Sequence, residues 1–297
     1  MRVLAIPQWS FGRDKGLLRE FGEILDAFGL RIHDLRSDVD QNRTISAFSG
    51  DPVRVFEALE RLGVAALPRI DLQRHHGSYP RIGALDSCPL IRVPDADGIL
   101  PDVVLERYID RLAWVLAEVY GLPVFLCERS DRGRREGEIP DLFRQGFGML
   151  LERSIEPDYG PKSAHRHLGV AVIGERDWVL QASVRLGTPD LATAKTVTKL
   201  IRELRREGDP RFLGVSALAV SLASRDQTQV SMILTLPDLT TFDPILEWMR
   251  IEVSKLEVSM AGAELVGPIR ERDVSGAARL AIRPEQIVDG GADDVRV

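Results

Sequence analysis

The sequence predicts an α+β protein built from two βαββαβ units in tandem. Two observations carry this. The stretches from residue 3 to 72 and from 178 to 267 each run strand, helix, strand, strand, helix, strand. Within them, apolar residues recur at three- and four-residue spacing over the helical stretches, and alternate or run together over the short strand stretches.

Taken in order, Val3 to Ile6 is a first strand, stopped by Pro7. Residues 13–28 set Leu17, Leu18, Phe21, Ile24, Leu25 and Phe28 at helical spacing, and Gly29 ends the run. Residues 30–35 and 44–48 are strands. Asp51 followed by Pro52 reads as an N-cap and first helical residue, with Val55, Phe56, Leu59 and Leu62 on one face. A strand over 67–72 completes the first unit. Beyond it, 88–93 is a strand, 102–120 a helix presenting Val104, Tyr108, Leu112, Val115, Leu116 and Val119, and 123–127 a buried strand. Residues 128–141 are charged and turn-rich, which predicts an exposed connection.

The second unit begins with a strand over 178–186. Thr188-Pro189-Asp190 opens a helix with Leu191, Ala194, Val197, Leu200, Ile201 and Leu204 inward. Strands at 214–224 and 228–236, a helix at 241–256 and a strand at 263–267 follow. The expected boundaries are therefore 1–177, 178–283 and a polar, acidic tail over 284–297. Each unit covers one sheet face with helices. The remaining faces need burial, most simply against one another, which makes a cleft between the two sheets the expected ligand site.

With 297 residues and 44% hydrophobic composition, the chain is long enough to bury two modest cores. A net charge of −6 argues against a dedicated nucleic-acid binder. Two cysteines, Cys88 and Cys127, are too few for a disulfide framework and fit a reduced, cytoplasmic setting. The start of the chain lacks the pattern of a secretory signal. No apolar run approaches the roughly 18 residues that span a bilayer.

Residues 73–86 (QRHHGSYPRIGALD) concentrate the polar chemistry. Several readings of them stay open. His75 and His76 suit a polar loop in which one histidine caps a backbone carbonyl. They also suit a metal site shared with His165 and His167, although adjacent residues of a strand face opposite ways and no acidic ligand stands at metal-site spacing. Ser78 beside a histidine suits a nucleophile, but no triad or nucleophile elbow accompanies it.

A family resemblance narrows these readings. IPQWSFGRD (6–14), DQNRTISAFSGDP (40–52), RHHGSYPRIGALDSCPL (74–90), GLPVFLCE (121–128), PDYGP (157–161), QVSM (229–232) and ELVG (264–267) occur in one order. Together they resemble the formiminotransferase domain, with its N- and C-terminal subdomains, across about residues 3 to 268. The resemblance implies two α/β subdomains whose sheets face each other across a folate tunnel, usually in a homodimer. It implies transfer of a formimino group from formiminoglutamate to N5 of tetrahydrofolate, with no metal. N5 attacks the formimino carbon and the glutamate amine leaves, so a proton must move between nitrogens, work that suits a histidine.

Carried over by matching position, the resemblance makes Asn42, Arg43, Arg81 and Asp86 substrate-binding residues. Either arginine also suits a structural ion pair. The segment Gly160, Pro161, Lys162, Ser163, Ala164, His165, Arg166, His167, Leu168, Gly169 becomes the folate-contacting loop, its basic residues favouring an anionic folate tail. A solvated linker is the plainer reading of the same loop. The family's block reads Arg-His-Lys-Gly-Glu-His-Pro-Arg, and its catalytic histidine stands before Pro-Arg. Here that position is Tyr79, whose phenol ionises near 10 and is a poor acceptor at neutral pH. Two expectations follow. Either the chain is a folate-dependent transferase with the acid/base moved to His76, or it binds a folate or pterin without transfer or acts on another formimino or formyl substrate.

Overall fold

The computed structural model describes residues 1–134 and 137–289. It is a mixed α/β chain that divides into two compact units, Met1–Arg176 and Asp177–Asp289.

In the first unit, Pro7 splits one strand position into β1 (Arg2–Ala5) and β2 (Gln8–Trp9), because proline brings no N–H to the ladder. Helix α1 (Lys15–Ala27) starts where Asp14 accepts from Leu17 N at 2.9 Å and buries Leu17, Phe21 and Leu25. β3 (Arg31–Asp38) and β4 (Arg43–Gly50) follow. Helix α2 (Pro52–Ala66) is capped by Asp51. β5 (Leu85–Val93), α3 (Asp102–Tyr120), β6 (Val124–Leu126), α4 (Glu138–Leu150) and β7 (Ala171–Glu175) complete the unit. The sheet runs β3-β4-β1/β2-β5-β7-β6. Its first pairings are antiparallel, and β7 lies parallel to β5 and β6.

Several expectations change here. Residues 67–72 are not a strand. Pro68 sits in a 3₁₀ turn over Leu67–Arg69, and the chain beyond is held by Leu72 N donating to His167 O at 2.8 Å. The connection over 128–141 is partly helical, with a 3₁₀ turn at Glu128–Ser130 and α4 from Glu138. Residues 135 and 136 of that stretch lie outside the described residues. Strand β7 is an addition. Helix α3 buries Leu105, Ile109, Leu112, Ala113 and Leu116, whereas Val119 is exposed. Val104 and Tyr108 of the expected face pack partly buried against the same core, Tyr108 stacked on Phe56 of α2.

In the second unit, β8 (Leu180–Leu186), α5 (Leu191–Glu207), β9 (Val215–Leu222), β10 (Gln227–Leu234), α6 (Phe242–Lys255) and β11 (Met260–Val266) form an antiparallel sheet in the order β11-β8-β10-β9. Ala182, Val184, Val230 and Met232 of the sheet share a core with Val197 and Ile201 of α5 and Ile245 and Met249 of α6. The alternate positions are small and polar, with Gln229 Nε2 donating to Ser183 Oγ at 2.9 Å. The start of the expected tail is part of this unit. Ile287–Val288 (β13) pairs in parallel with Ile269–Arg270 (β12), and Gln286 Nε2 donates to Gly267 O at 2.8 Å. Residues 290–297 lie outside the described residues. None of the described helices is long and apolar enough to cross a membrane.

Candidate functional site

Three backbone segments of the first unit meet at the start of β4. Asn42, the residue before it, has φ of 50°, a left-handed conformation that asparagine tolerates better than most. Its Oδ1 accepts from Gly12 N at 2.8 Å and its Nδ2 donates to His76 O at 3.2 Å. Its own carbonyl accepts from His75 Nε2 at 2.7 Å. The approach is close enough to require glycine. A Cβ on Gly12 would stand 2.1 Å from Asp38 O, and one on Gly77 2.1 Å from Gln41 O.

Asp86, two residues into β5, is the buried anion of the cluster. Its Oδ1 accepts from Ile82 N at 2.7 Å and Gly83 N at 3.2 Å, and its Oδ2 lies 3.7 Å from Arg43. Burial raises its pKa, opposed by Arg43 and the two N–H donors. Arg81 donates to the His75 carbonyl, and burial lowers its pKa. The Arg43 guanidinium lies 4.1 Å from the centre of the Tyr79 ring, a cation–π contact.

Asn42, Arg43, Tyr79, Arg81 and Asp86 thus line one cavity, together with Ser10, Gln41, His75 and Pro80. Its volume is about 10 Å³. His76 is exposed and reaches the cluster through its carbonyl alone, so the acid/base expected at this residue is not brought into the cavity. His75 is there instead. It is buried, and burial with the Arg81 charge lowers its pKa to about 4. The sequence offered one signal for this, a histidine suited to capping a carbonyl.

That shift has a stability consequence. A histidine depressed from 6.5 to about 4 favours the fold in its neutral form. Its contribution is whole above pH 6.5 and is lost as pH falls through 4, on the order of 1 to 3 kcal/mol once solvent screening is allowed for. Asp86, raised by burial, acts with the opposite sign. Urea titrations of wild type and His75→Gln between pH 7 and 4 isolate the histidine: the stability gap between them should narrow on acidification.

The 160–169 segment lies apart from the cavity lining. Gly160, Pro161, Lys162, Ser163, Arg166 and His167 are exposed, Ala164 and His165 half-buried, and Leu168 and Gly169 buried. Lys162 pairs with Glu156 at 2.8 Å, and His167 Nδ1 lies 3.1 Å from Asp71. His165 Nδ1 accepts from Leu168 N at 2.9 Å, and its pKa is lowered by burial and by His167. The segment is joined to the site strand at its end, where Ala84 N donates to Leu168 O at 2.8 Å and Gly83 bridges Gly169. Among the described residues no group of three or more His, Cys, Asp or Glu gathers as a metal site.

Residues 2–176 match the formiminotransferase domain, N-terminal subdomain. The chain is 28% identical over 270 residues to a glutamate formimidoyltransferase of Streptococcus pyogenes serotype M1, covering 89% of this chain and 88% of that protein. It is 26% identical over 288 residues to a glutamate formimidoyltransferase of Thermoplasma acidophilum, covering 95% and 92%. A formimidoyltransferase-cyclodeaminase of Sus scrofa is 28% identical over 295 residues, and there the match takes 96% of this chain but 53% of the longer relative. The family match covers more than half of the chain and includes the Asn42–Asp86 cluster, and on that ground the chain belongs to the formiminotransferase family.

Proposed function

We propose that this chain binds a folate and a carboxylate-bearing formimino donor, and moves the formimino group from formiminoglutamate to N5 of tetrahydrofolate. The observation that carries the reading is the pairing of Arg43 and Arg81 beside one cavity of the first unit. Each keeps a buried Nε without a hydrogen-bond partner. A guanidinium with unspent donors is suited to a carboxylate, and glutamate offers two. Asn42 and Asp86 hold these arginines and their segments in place. The 160–169 segment, with Lys162, Arg166 and His167 exposed, is read as the surface for the anionic folate tail.

Each unit is read as a ferredoxin-like sandwich. The support is strand order: in both, the fourth, first, third and second strands of the βαββαβ run lie side by side, and β6 and β7 extend the first sheet. The domain limits proposed are those of the two subdomains, meeting near residue 177. Homodimer formation is inferred from the family, and a cytoplasmic setting from two unpaired cysteines. Tyr79 at the family's histidine position favours a second reading, a folate- or pterin-binding protein without transfer.

Isothermal titration with tetrahydrofolate, 5-formyltetrahydrofolate and formiminoglutamate tests the proposal. Wild type should bind folate and donor. Arg81→Ala should keep folate affinity and lose roughly 10- to 100-fold in donor affinity, the worth of a charged hydrogen bond. Absence of heat from both folates would overturn the reading, and the family would then describe the fold alone.

A further inference from the structure

Three residues around the cavity of the first unit each leave a buried nitrogen without a partner: Arg43 Nε, His75 Nδ1 and Arg81 Nε. The two arginine atoms are donors. The histidine atom is not. His75 uses Nε2 on the Asn42 carbonyl, and a carbonyl only accepts, so Nε2 carries the proton. In the neutral ring this leaves a bare lone pair on Nδ1. Burial and the charges of Arg81 and Arg13 keep the ring neutral, with the pKa at about 4, against the backbone carbonyls of Asn42 and of His75 itself, which favour the proton. His75 is also the imidazole of this cavity. Position 79 holds a tyrosine lying on Arg43, and His76 is exposed.

We propose that His75 takes a proton from the ligand at this site through Nδ1, directly or across one water. The proposal rests on the transferase reading above. In the transfer, the attacking nitrogen bonds to the carbon of the protonated formimino group, and the carbon–nitrogen π pair moves onto the formimino nitrogen and neutralises it. The proton shed by the attacking nitrogen goes to His75 Nδ1. The formimino lone pair then re-forms the double bond, the bond from carbon to the glutamate nitrogen breaks, and the imidazolium returns its proton to the departing amine. A cavity of about 10 Å³ has room for about one water as relay. A donor carboxylate seated on Arg81 would offset the cation that holds His75 down, so binding strengthens the base as it is needed. Arg13 acts against it; Arg43 and Asp86, the other charged groups lining the cavity, carry opposite charges, and by sign alone the first disfavours a protonated ring and the second favours it.

The test compares wild type, His75→Gln and His76→Gln in folate binding, donor binding and single-turnover transfer. Glutamine at position 75 keeps an N–H for the Asn42 carbonyl but offers no basic nitrogen. The expected result is unchanged affinity for tetrahydrofolate with transfer slowed by about 10²- to 10⁴-fold. Undiminished transfer in His75→Gln, or a loss that follows His76→Gln instead, overturns the proposal. Wild type that binds both ligands and transfers nothing also overturns it, while leaving the folate reading intact. If neither ligand binds, the transferase reading falls with it. Long-range ¹H–¹⁵N spectra of wild type give an answer even if His75→Gln does not fold. Nδ1 should be unprotonated in the free protein and move toward the protonated form when formiminoglutamate is added, whereas an Nδ1–H in the free protein overturns the assignment.

Discussion

Replacing Asp86 with alanine should cost the first unit roughly 3 to 5 kcal/mol, the usual loss when one partner of a buried charge pair is removed. Asp86 is 2% exposed, stands 3.7 Å from Arg43 and accepts from Ile82 N and Gly83 N. Alanine strands the two buried backbone donors and leaves Arg43 without its countercharge. Asn keeps an acceptor for the two backbone N–H groups but gives Arg43 no countercharge, so Asp86→Asn should fall between alanine and wild type. Urea unfolding followed by the fluorescence of Trp9, buried in the same unit, measures the series. If Asp86→Ala unfolds with wild type, the Tyr79 ring and not the carboxylate is what holds Arg43.

Gly169→Ala should cost on the order of 3 kcal/mol and loosen the junction between the 160–169 segment and the site strand. Gly169 has φ of 71°, and a Cβ there would lie 2.0 Å from Ile82 O. That carbonyl accepts from Val170 N at 3.0 Å, so the clash falls on the hydrogen bond that joins the two segments. Gly98 is the internal comparison. Its φ is 94°, yet nothing lies within 4 Å of its Cβ position, so Gly98→Ala should show the conformational cost alone, about 1 to 2 kcal/mol. Thermal melting gives both values. Hydrogen exchange over 164–170 should quicken in Gly169→Ala only. Equal losses in the two variants would mean that close approach at Gly169 contributes nothing.

Much of the fold was legible in residue order because its signals are local. Asp14 and Asp51 mark helix starts by side-chain oxygens that reach their own next turn. The alternation over 180–186 and 227–234 places Ala182, Val184, Val230 and Met232 in the second core. Where the signal was local but ambiguous, it misled. The segment 67–72 has a strand's composition, but Pro68 and the bond from Leu72 to His167 tie it elsewhere. Helix α3 is apolar over more than one face, and its packing on α2 and the sheet decides which of those residues are buried.

The site divides in the same way. By itself the sequence determined the family, the residue types of the 73–86 block, the tyrosine before Pro80-Arg81, and the set Asn42, Arg43, Arg81 and Asp86. Those are matters of identity at a position. Which of two adjacent histidines lines the cavity was decided by tertiary structure alone. His75 and His76 are indistinguishable as letters, but the turn at Asn42 offers its carbonyl to one and leaves the other in solvent. Burial, tautomer and the charge of a neighbour six residues away set a histidine's chemistry, and all three depend on contacts that exist only once β4 and the 73–86 segment have come together.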